Sequence, residues 1–461
     1  MELKKLIPSN IEKILNILKK ESLFADIYIE KTESLKIVLE PGRIDEINWG
    51  EEKGISLRGI AKNFQNRFAY TSNFDKKFLE ELAKFLINSK EINFSQNFLS
   101  GKNLNKNFTE KGISEFLEKR FKFLEDLKKN IISSSYIKHY RIIFTESKKE
   151  ICILNSDGNF IEEIRPYFRV AIIVVAEKNG VLERGYDVKG KVLPFEKAIE
   201  LEEFLELPKS ASELALKMLS AKKAPAGVMP VVLSGSAGGT MIHEAIGHGL
   251  EADHAEEGLS IYSGRLGEKV ASELITVIDD ATKSELFGYY KYDDEGTKAE
   301  PVILIEKGIL KNFLYDKFFA LKYGKNSNGH GRRQNFRYIP IPRMGNTYIE
   351  KGFHKPEEII KSIDSGLLVK KMGGGEVNPL TGDFMFEIRE GYYIDKGEIA
   401  YPVKGATLVG NGPKVLEIID MVGDDLHFEP GICGKDGQGV PVSDGQPTLR
   451  IPEITVGGIV E

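Results

Sequence analysis

The sequence predicts an α+β protein, with N-terminal α/β lobes on mixed sheets over residues 1–222 and a mostly antiparallel, barrel-like β domain over residues 223–461. Three observations predict it. Through the first half, segments with a 3.6-residue apolar period alternate with β-branched runs. From Lys222–Gly227 (KKAPAG) onward, glycine and proline become denser, and short apolar runs alternate with turn signals. One helical stretch, starting at Ser236, interrupts that β-rich half and concentrates histidine and acid.

The elements follow in order. An amphipathic helix opens the chain. Asp26–Glu30, Leu35–Leu39, Ile44–Trp49, Lys53–Ile60 and Arg67–Thr71 then read as short strands, punctuated by Pro41-Gly42. Lys76–Leu86 is helical by its Phe/Leu spacing. Residues 91–112, rich in Asn, Lys and Gly, read as a loop between two lobes. The second lobe begins with a helix over Ile113–Asn130, for which Ser114 is the expected N-cap, with Glu115 and Glu118 in the first turn. Strands at Tyr140–Thr145, Glu150–Leu154, Tyr167–Ala176 and Gly180–Tyr186 follow, then a helix at Ser210–Ser220. Beyond the KKAPAG linker, Val228–Leu233, Val302–Ile305, Phe384–Ile388, Tyr392–Ile394, Glu398–Tyr401 and Leu416–Met421 read as strands. Glu306-Lys307-Gly308 and Asp395-Lys396-Gly397 read as hairpin turns. Many short strands of this kind predict a curled or closed sheet.

Bulk numbers narrow the function classes. A length of 461 residues suggests two or three domains. Apolar residues at 41% and charged residues at 29% fit a soluble globular protein with a large core. A net charge of −5 carries no basic excess of the kind nucleic-acid binders show. The opening residues lack the unbroken apolar core of a secretory signal, and the most apolar run, Val170–Ala176, is too short to cross a bilayer. The expectation is a cytoplasmic protein with no membrane and no nucleic-acid partner. Two cysteines, Cys152 and Cys433, do not make a disulfide scaffold. Cys152, between two isoleucines, reads as part of a buried strand.

The chemistry concentrates in Ser236–His254, SAGGTMIHEAIGHGLEADH. It holds His243-Glu244-x-x-x-His248, two of only seven histidines in the chain. On a regular helix, residues five apart point about 140° away from each other, whereas residues four apart lie within about 40°. Two imidazoles at this spacing converge on one ion only if the helix is deformed, and a π-turn absorbs the extra residue. Gly247 and Gly249 ease that distortion. A catalytic zinc needs about three protein ligands and an open position. Glu251, Asp253 and His254 are near candidates for the third, and Cys433, in Pro-Gly-Ile-Cys-Gly, is a distant one; spacing alone does not choose. Glu244 neighbours a ligand but points elsewhere on the helix, where it can take a proton from a metal-activated water.

Two other clusters have less pointed readings. Gly329-His330-Gly331-Arg332-Arg333 reads equally as an anchor for peptide oxygen atoms or as a solvated loop. Asp293, Asp294 and Glu295 read as a turn with capping carboxylates in preference to a hard-cation site.

Taken together, the blocks GGTMIHEAIGHGLEADH, YDDEGT (Tyr292–Thr297), IPIPRMGNTYIEKG (Ile339–Gly352), GGGEVNPLTGDFMFEIREGYYIDKGE (Gly373–Glu398), PVKGATLVGNGPKVL (Pro402–Leu416) and GICGKDGQGVPVSDGQPTLRIPEITVGG (Gly431–Gly458) resemble the TldD/PmbA peptidases. The resemblance spans nearly all of residues 223–461, and its one small departure is Gly345 where the family block has Thr. It implies one zinc ion on His243, His248 and Cys433, with Glu244 as general base and short or unfolded peptides as substrate. Iron is not excluded by the ligand set. It further implies a heterodimer with a TldE/PmbA-like subunit that lacks the metal motif, or a homodimer. The rival readings are a thiol hydrolase with Cys433 as nucleophile and a non-catalytic subunit of a peptidase complex.

Overall fold

The computed structural model describes residues 3–88 and 110–458 and is of the α+β class. Strands and helices are numbered along the chain. In the first half, β1 (Ser22–Glu40), β2 (Arg43–Ala61), β3 (Asn66–Thr71), β4 (Ile137–Asn155), β5 (Phe160–Lys178) and β6 (Val181–Lys191) form one sheet in the order β3-β2-β1-β4-β5-β6. All its pairs are antiparallel, so the two expected lobes share a continuous sheet, stitched by β1 on β4 from Asp26↔Asn155 to Leu39↔Ile142. The short runs expected between Asp26 and Ile60 merge into two strands of 19 residues each. The ladder continues through polar residues such as Glu51–Lys53 because backbone pairing does not need an apolar face. Pro41-Gly42 closes the β1–β2 hairpin, with Gly42 at φ 76°.

Alternation along the strands decides what covers each face. Ile27, Ile29 and Cys152 point to α1 (Ile11–Lys19) and α2 (Lys76–Asn88). Farther along the same sheet, Leu35, Ile37, Phe144 and Phe168 pack on α3 (Glu110–Lys129), α4 (Phe195–Ala198) and α5 (Glu202–Met218). The neighbouring residues Tyr28, Ile151 and Ile153 point the other way and enclose Phe336 of the second half. Helix α3 begins at Glu110, so Ser114 lies within it and is not its N-cap. Most of the loop expected near 91–112 falls outside the described residues.

The second half holds two further large sheets. Their strands are β7 (Lys222–Lys223), β8 (Gly227–Leu233), β9 (Val277–Asp279), β10 (Val302–Glu306), β11 (Ile309–Leu310), β14 (Asn346–Ile349), β15 (Ser365–Val377), β16 (Asp383–Asp395), β17 (Glu398–Lys404), β18 (Thr407–Asn411), β19 (Met421–Val422), β20 (His427–Lys435), β21 (Gln438–Gln446) and β22 (Leu449–Gly457); β12 (Gly331–Arg332) and β13 (Ile341–Pro342) pair separately. The order β15-β8-β22-β18-β16 closes on itself through β15–β16 and makes a five-stranded barrel. The other sheet runs β11-β10-β9-β14-β21-β20, which leaves β20 on an edge. Most pairs are antiparallel; β8–β15, β14–β21 and β7–β17 are parallel. Lys307-Gly308 and Lys396-Gly397 take positive φ at both positions, as tight hairpins require.

One expectation fails. Leu416–Met421 is not a strand: Gly412–Ile418 is helical, and only Met421–Val422 pairs. Asn411 caps that helix by accepting the Lys414 N–H, and Pro413 sits in its first turn, so local start signals outweigh the apolar run.

The helical stretch expected from Ser236 lies between barrel and edge sheet. Met241, Ile242, Ala245, Ile246 and Leu250 share one core with barrel residues such as Leu233 and Phe386 and with Val440 and Val442 of β21.

Candidate metal centre

The helix changes type at the motif. Thr240–Ile242 is α-helical, His243–Gly247 forms a π-turn, and His248–Leu250 tightens to a 3₁₀ turn. The His248 N–H donates to the His243 carbonyl five residues back. This is the deformation that the five-residue spacing demands. Two glycines let this stretch pack closely on its neighbours: a Cβ on Gly247 would sit 2.1 Å from Met344 Sδ, and one on Gly239 would sit 2.4 Å from the Gly445 N atom. The two imidazoles end with ring centroids 5.0 Å apart and planes nearly perpendicular.

Cys433 arrives from the edge strand β20. Its Sγ lies 3.1 Å from His243 Nε2 and 3.4 Å from His248 Nε2. The three donor atoms lie within 4.8 Å of one another. Both histidines and the cysteine are buried, at 3%, 9% and 4% exposure, so the donors face each other and not bulk solvent. Arg343, fully buried, fixes the strand by donating to the Cys433 carbonyl at 2.5 Å.

The other ring nitrogens are committed. His243 Nδ1 donates to Asp444 Oδ1 at 2.6 Å, and His248 Nδ1 donates to Glu251 Oε2 at 2.8 Å. Each bond leaves the Nε2 side turned to the sulfur. Lys435, two residues after Cys433, donates to Glu251 at 2.9 Å and to Asp253 at 2.7 Å. Glu251, Asp253 and His254, the near candidates for a third ligand, are thus brought together in a group of their own. Within it Glu251 and Asp253 bind Lys435, and His254 Nδ1 donates to the His248 carbonyl at 2.8 Å.

The electrostatics follow from these contacts. Burial alone would raise the Cys433 thiol, but the His243 charge and hydrogen bonds from both imidazoles bring it down to about 5. Burial would lower His248, yet Glu251 and the sulfur hold it up at about 9. His243 is raised well above its ordinary value because Asp444 and Cys433 outweigh burial. Glu251 is held far below the usual carboxylate range by Lys435 and His248, against its burial. Glu244, with 41% of its side chain exposed, reaches from the same helix to 3.9 Å from His248 Nε2.

The other sequence clusters prove structural. Arg332 and Arg333 are 3% and 1% exposed. Arg332 donates to the Met344 and Pro441 carbonyls, and Arg333 to Asp26, Ser56 and the Asp294 carbonyl. Asp293 accepts the N–H groups of Glu295, Thr297 and Gly331, a capping turn. Sequence reasoning did not find Asp444 or Lys435. Asp444 lies 201 residues from His243, and no local pattern marks a carboxylate that meets its partner only through folding.

Comparison with known proteins places the chain in a family. Models of the PmbA/TldA metallopeptidase domains match residues 25–92 (domain 1), 110–219 (central domain) and 226–458 (C-terminal domain). The chain is 37% identical to a metalloprotease TldD homolog of Buchnera aphidicola, across 95% of this chain and 93% of that one. It is 34% identical to the metalloprotease TldD homolog of Haemophilus influenzae, across 98% of both. A zinc metalloprotease TldD homolog of Saccharolobus solfataricus is 29% identical, across 95% and 97%. A solved structure from Thermotoga maritima superimposes with a TM-score of 0.78 at 21% identity, covering 97% of this chain and 99% of that one. TldE from Thermococcus kodakarensis gives 0.73 at 19% identity, covering 98% and 100%. These two likenesses speak to the fold. The chain belongs to the PmbA/TldD family of metallopeptidases. No helix among the described residues is long and apolar enough to cross a membrane.

Proposed function

We propose that this metallopeptidase is a zinc enzyme that cleaves short or unfolded peptides, with one ion on His243 Nε2, His248 Nε2 and Cys433 Sγ and with Glu244 as general base. The observation that carries the reading is the meeting of those three donors, while each imidazole spends its other nitrogen on a carboxylate. The donor set fits the ion: two imidazoles and one thiolate suit zinc better than metals that prefer oxygen. The two imidazoles draw the Cys433 thiol down toward its thiolate form. A divalent cation would take over that role. The printed name of the Saccharolobus solfataricus relative, a zinc metalloprotease, agrees.

When bound, zinc supplies Lewis acidity, which makes water a better nucleophile and a peptide carbonyl a better electrophile. The chain's residues do the rest. Glu244, half exposed and beside His248, accepts a proton from the attacking water and can return it to the leaving amine. The partly buried Asp444 and the fully buried Glu251 keep the imidazoles from swinging. A TldE/PmbA-like subunit without the metal motif is the partner in this reading, with a homodimer as the alternative; the shared fold with TldE supports it. Cytoplasmic location belongs to the same reading.

Metal analysis of purified protein, with and without a TldE-like partner, tests the ion. Glu244→Gln should retain the ion and lose cleavage by about 10²–10⁴-fold; undiminished turnover would end the role assigned to Glu244. One observation favours a second reading: Cys433, His243 and Asp444 also form a Cys–His–Asp row, at 3.1 and 2.6 Å. Activity lost to a chelator and restored by zinc separates a metal centre from a thiol nucleophile.

A further inference from the structure

Both imidazoles are backed by carboxylates, but the two carboxylates are not equivalent. Among the described residues, the ion pair of Asp444 is with His243 Nδ1, at 2.6 Å. Glu251, which backs His248 at 2.8 Å, also binds Lys435 at 2.9 Å. Lys435 in turn binds Asp253 and is almost wholly enclosed, at 6% side-chain exposure. The negative charge behind His248 is therefore largely spent on an ammonium, while that behind His243 is not.

We propose, on the basis of the zinc reading above, that Asp444 and the Glu251–Lys435 pair are positioning residues that fix both imidazoles as Nδ1–H tautomers, and that the unshared charge of Asp444 makes His243 the stronger of the two nitrogen donors. The physical reason is local. A carboxylate that accepts the Nδ1 proton raises electron density at Nε2, and an adjacent ammonium withdraws part of that effect. Geometry reinforces it. Asp444 sits on β21, paired with Glu429 of β20, the strand that carries Cys433. One hairpin therefore delivers both the sulfur and the carboxylate that aims the first histidine. Gly239, against whose position Asp444 and Gly445 pack, lets the helix come this close.

The test is zinc affinity of the full chain, measured by competition with a chromogenic chelator, together with nitrogen NMR of protein labelled at histidine. Asp444→Asn should weaken zinc binding by about 10–100-fold, with Glu251→Gln at the lower end of that range. Equal affinity of Asp444→Asn and wild type, or a larger loss in Glu251→Gln, would overturn the inference. If a variant does not fold, zinc-loaded wild type still decides: Nδ1 protonated and Nε2 metal-bound at both histidines supports it, and an Nδ1-bound metal at either overturns it. Failure of wild type itself to take up stoichiometric metal would instead overturn the zinc reading on which this one stands.

Discussion

His243 Nε2 and Cys433 Sγ, 190 residues apart in the chain, lie 3.1 Å from each other inside the protein. A thiol so placed differs from the other cysteine. Cys152 is fully buried on β4 and its thiol is pushed up to about 12, first by burial and then by the nearby Glu162. Cys433 is brought down to about 5 by the two imidazoles beside it. Metal-free native protein should therefore be alkylated at Cys433 alone. The thiolate is the reactive form, so the rate should rise with pH through about 5 and then level off, well below the range of a free thiol. Saturating zinc should protect. Peptide mapping of the labelled protein checks this, and labelling of Cys152 before unfolding, or no zinc protection, would contradict it.

The close approach of the His243 helix to β21 makes a second prediction. At Gly239 an added Cβ would stand 2.4 Å from the Gly445 N atom and 2.6 Å from the Asp444 carbonyl carbon, both backbone atoms that cannot rotate away. Gly239→Ala must push helix and β21 apart. The cost should be about 1–3 kcal/mol of stability. Because Asp444 moves with β21, zinc binding should weaken as well. Gly434→Ala, with open space around its Cβ, is the control. Equal thermal stability and equal zinc affinity of the two variants would show that the close approach does not matter.

Much of this was legible in the sequence. The spacing of His243 and His248 forced a deformed helix on geometric grounds, and the backbone is deformed there. Gly and Pro density gave the β-rich second half, and Lys307-Gly308 and Lys396-Gly397 gave its hairpins. What stayed hidden is pairing at long range. Nothing local distinguishes Asp444 from a solvated turn acid, or Lys435 from a surface lysine, until β20 and β21 fold against the helix. The basic loop Gly329–Arg333 was ambiguous for the same reason: its partners Asp26 and Ser56 lie at the other end of the chain.

Those partners make the last prediction. Asp26 on β1 accepts from Arg58 Nε at 2.6 Å and from Arg333 Nη2 at 3.2 Å, and all three side chains are at 0% exposure. Arg58 reaches Glu295 as well, and Arg165 joins Asp294 to Glu163. This buried network ties the N-terminal sheet to the loops that lead to β12 and the metal site. Asp26→Ala leaves Arg58 with Glu295 alone and Arg333 without its ion-pair partner, with no water to solvate either guanidinium. Such a loss costs about 3–5 kcal/mol, or a fall in Tm of about 3–5 °C for a chain of this length. Asp420→Ala, which breaks only the exposed pair with Arg450, should cost no more than about 1 kcal/mol. The comparison is made by calorimetry on both variants. If Asp26→Ala melts with the wild type, the network does not couple the two halves, because Arg333 would then have lost its buried ion-pair partner at no cost.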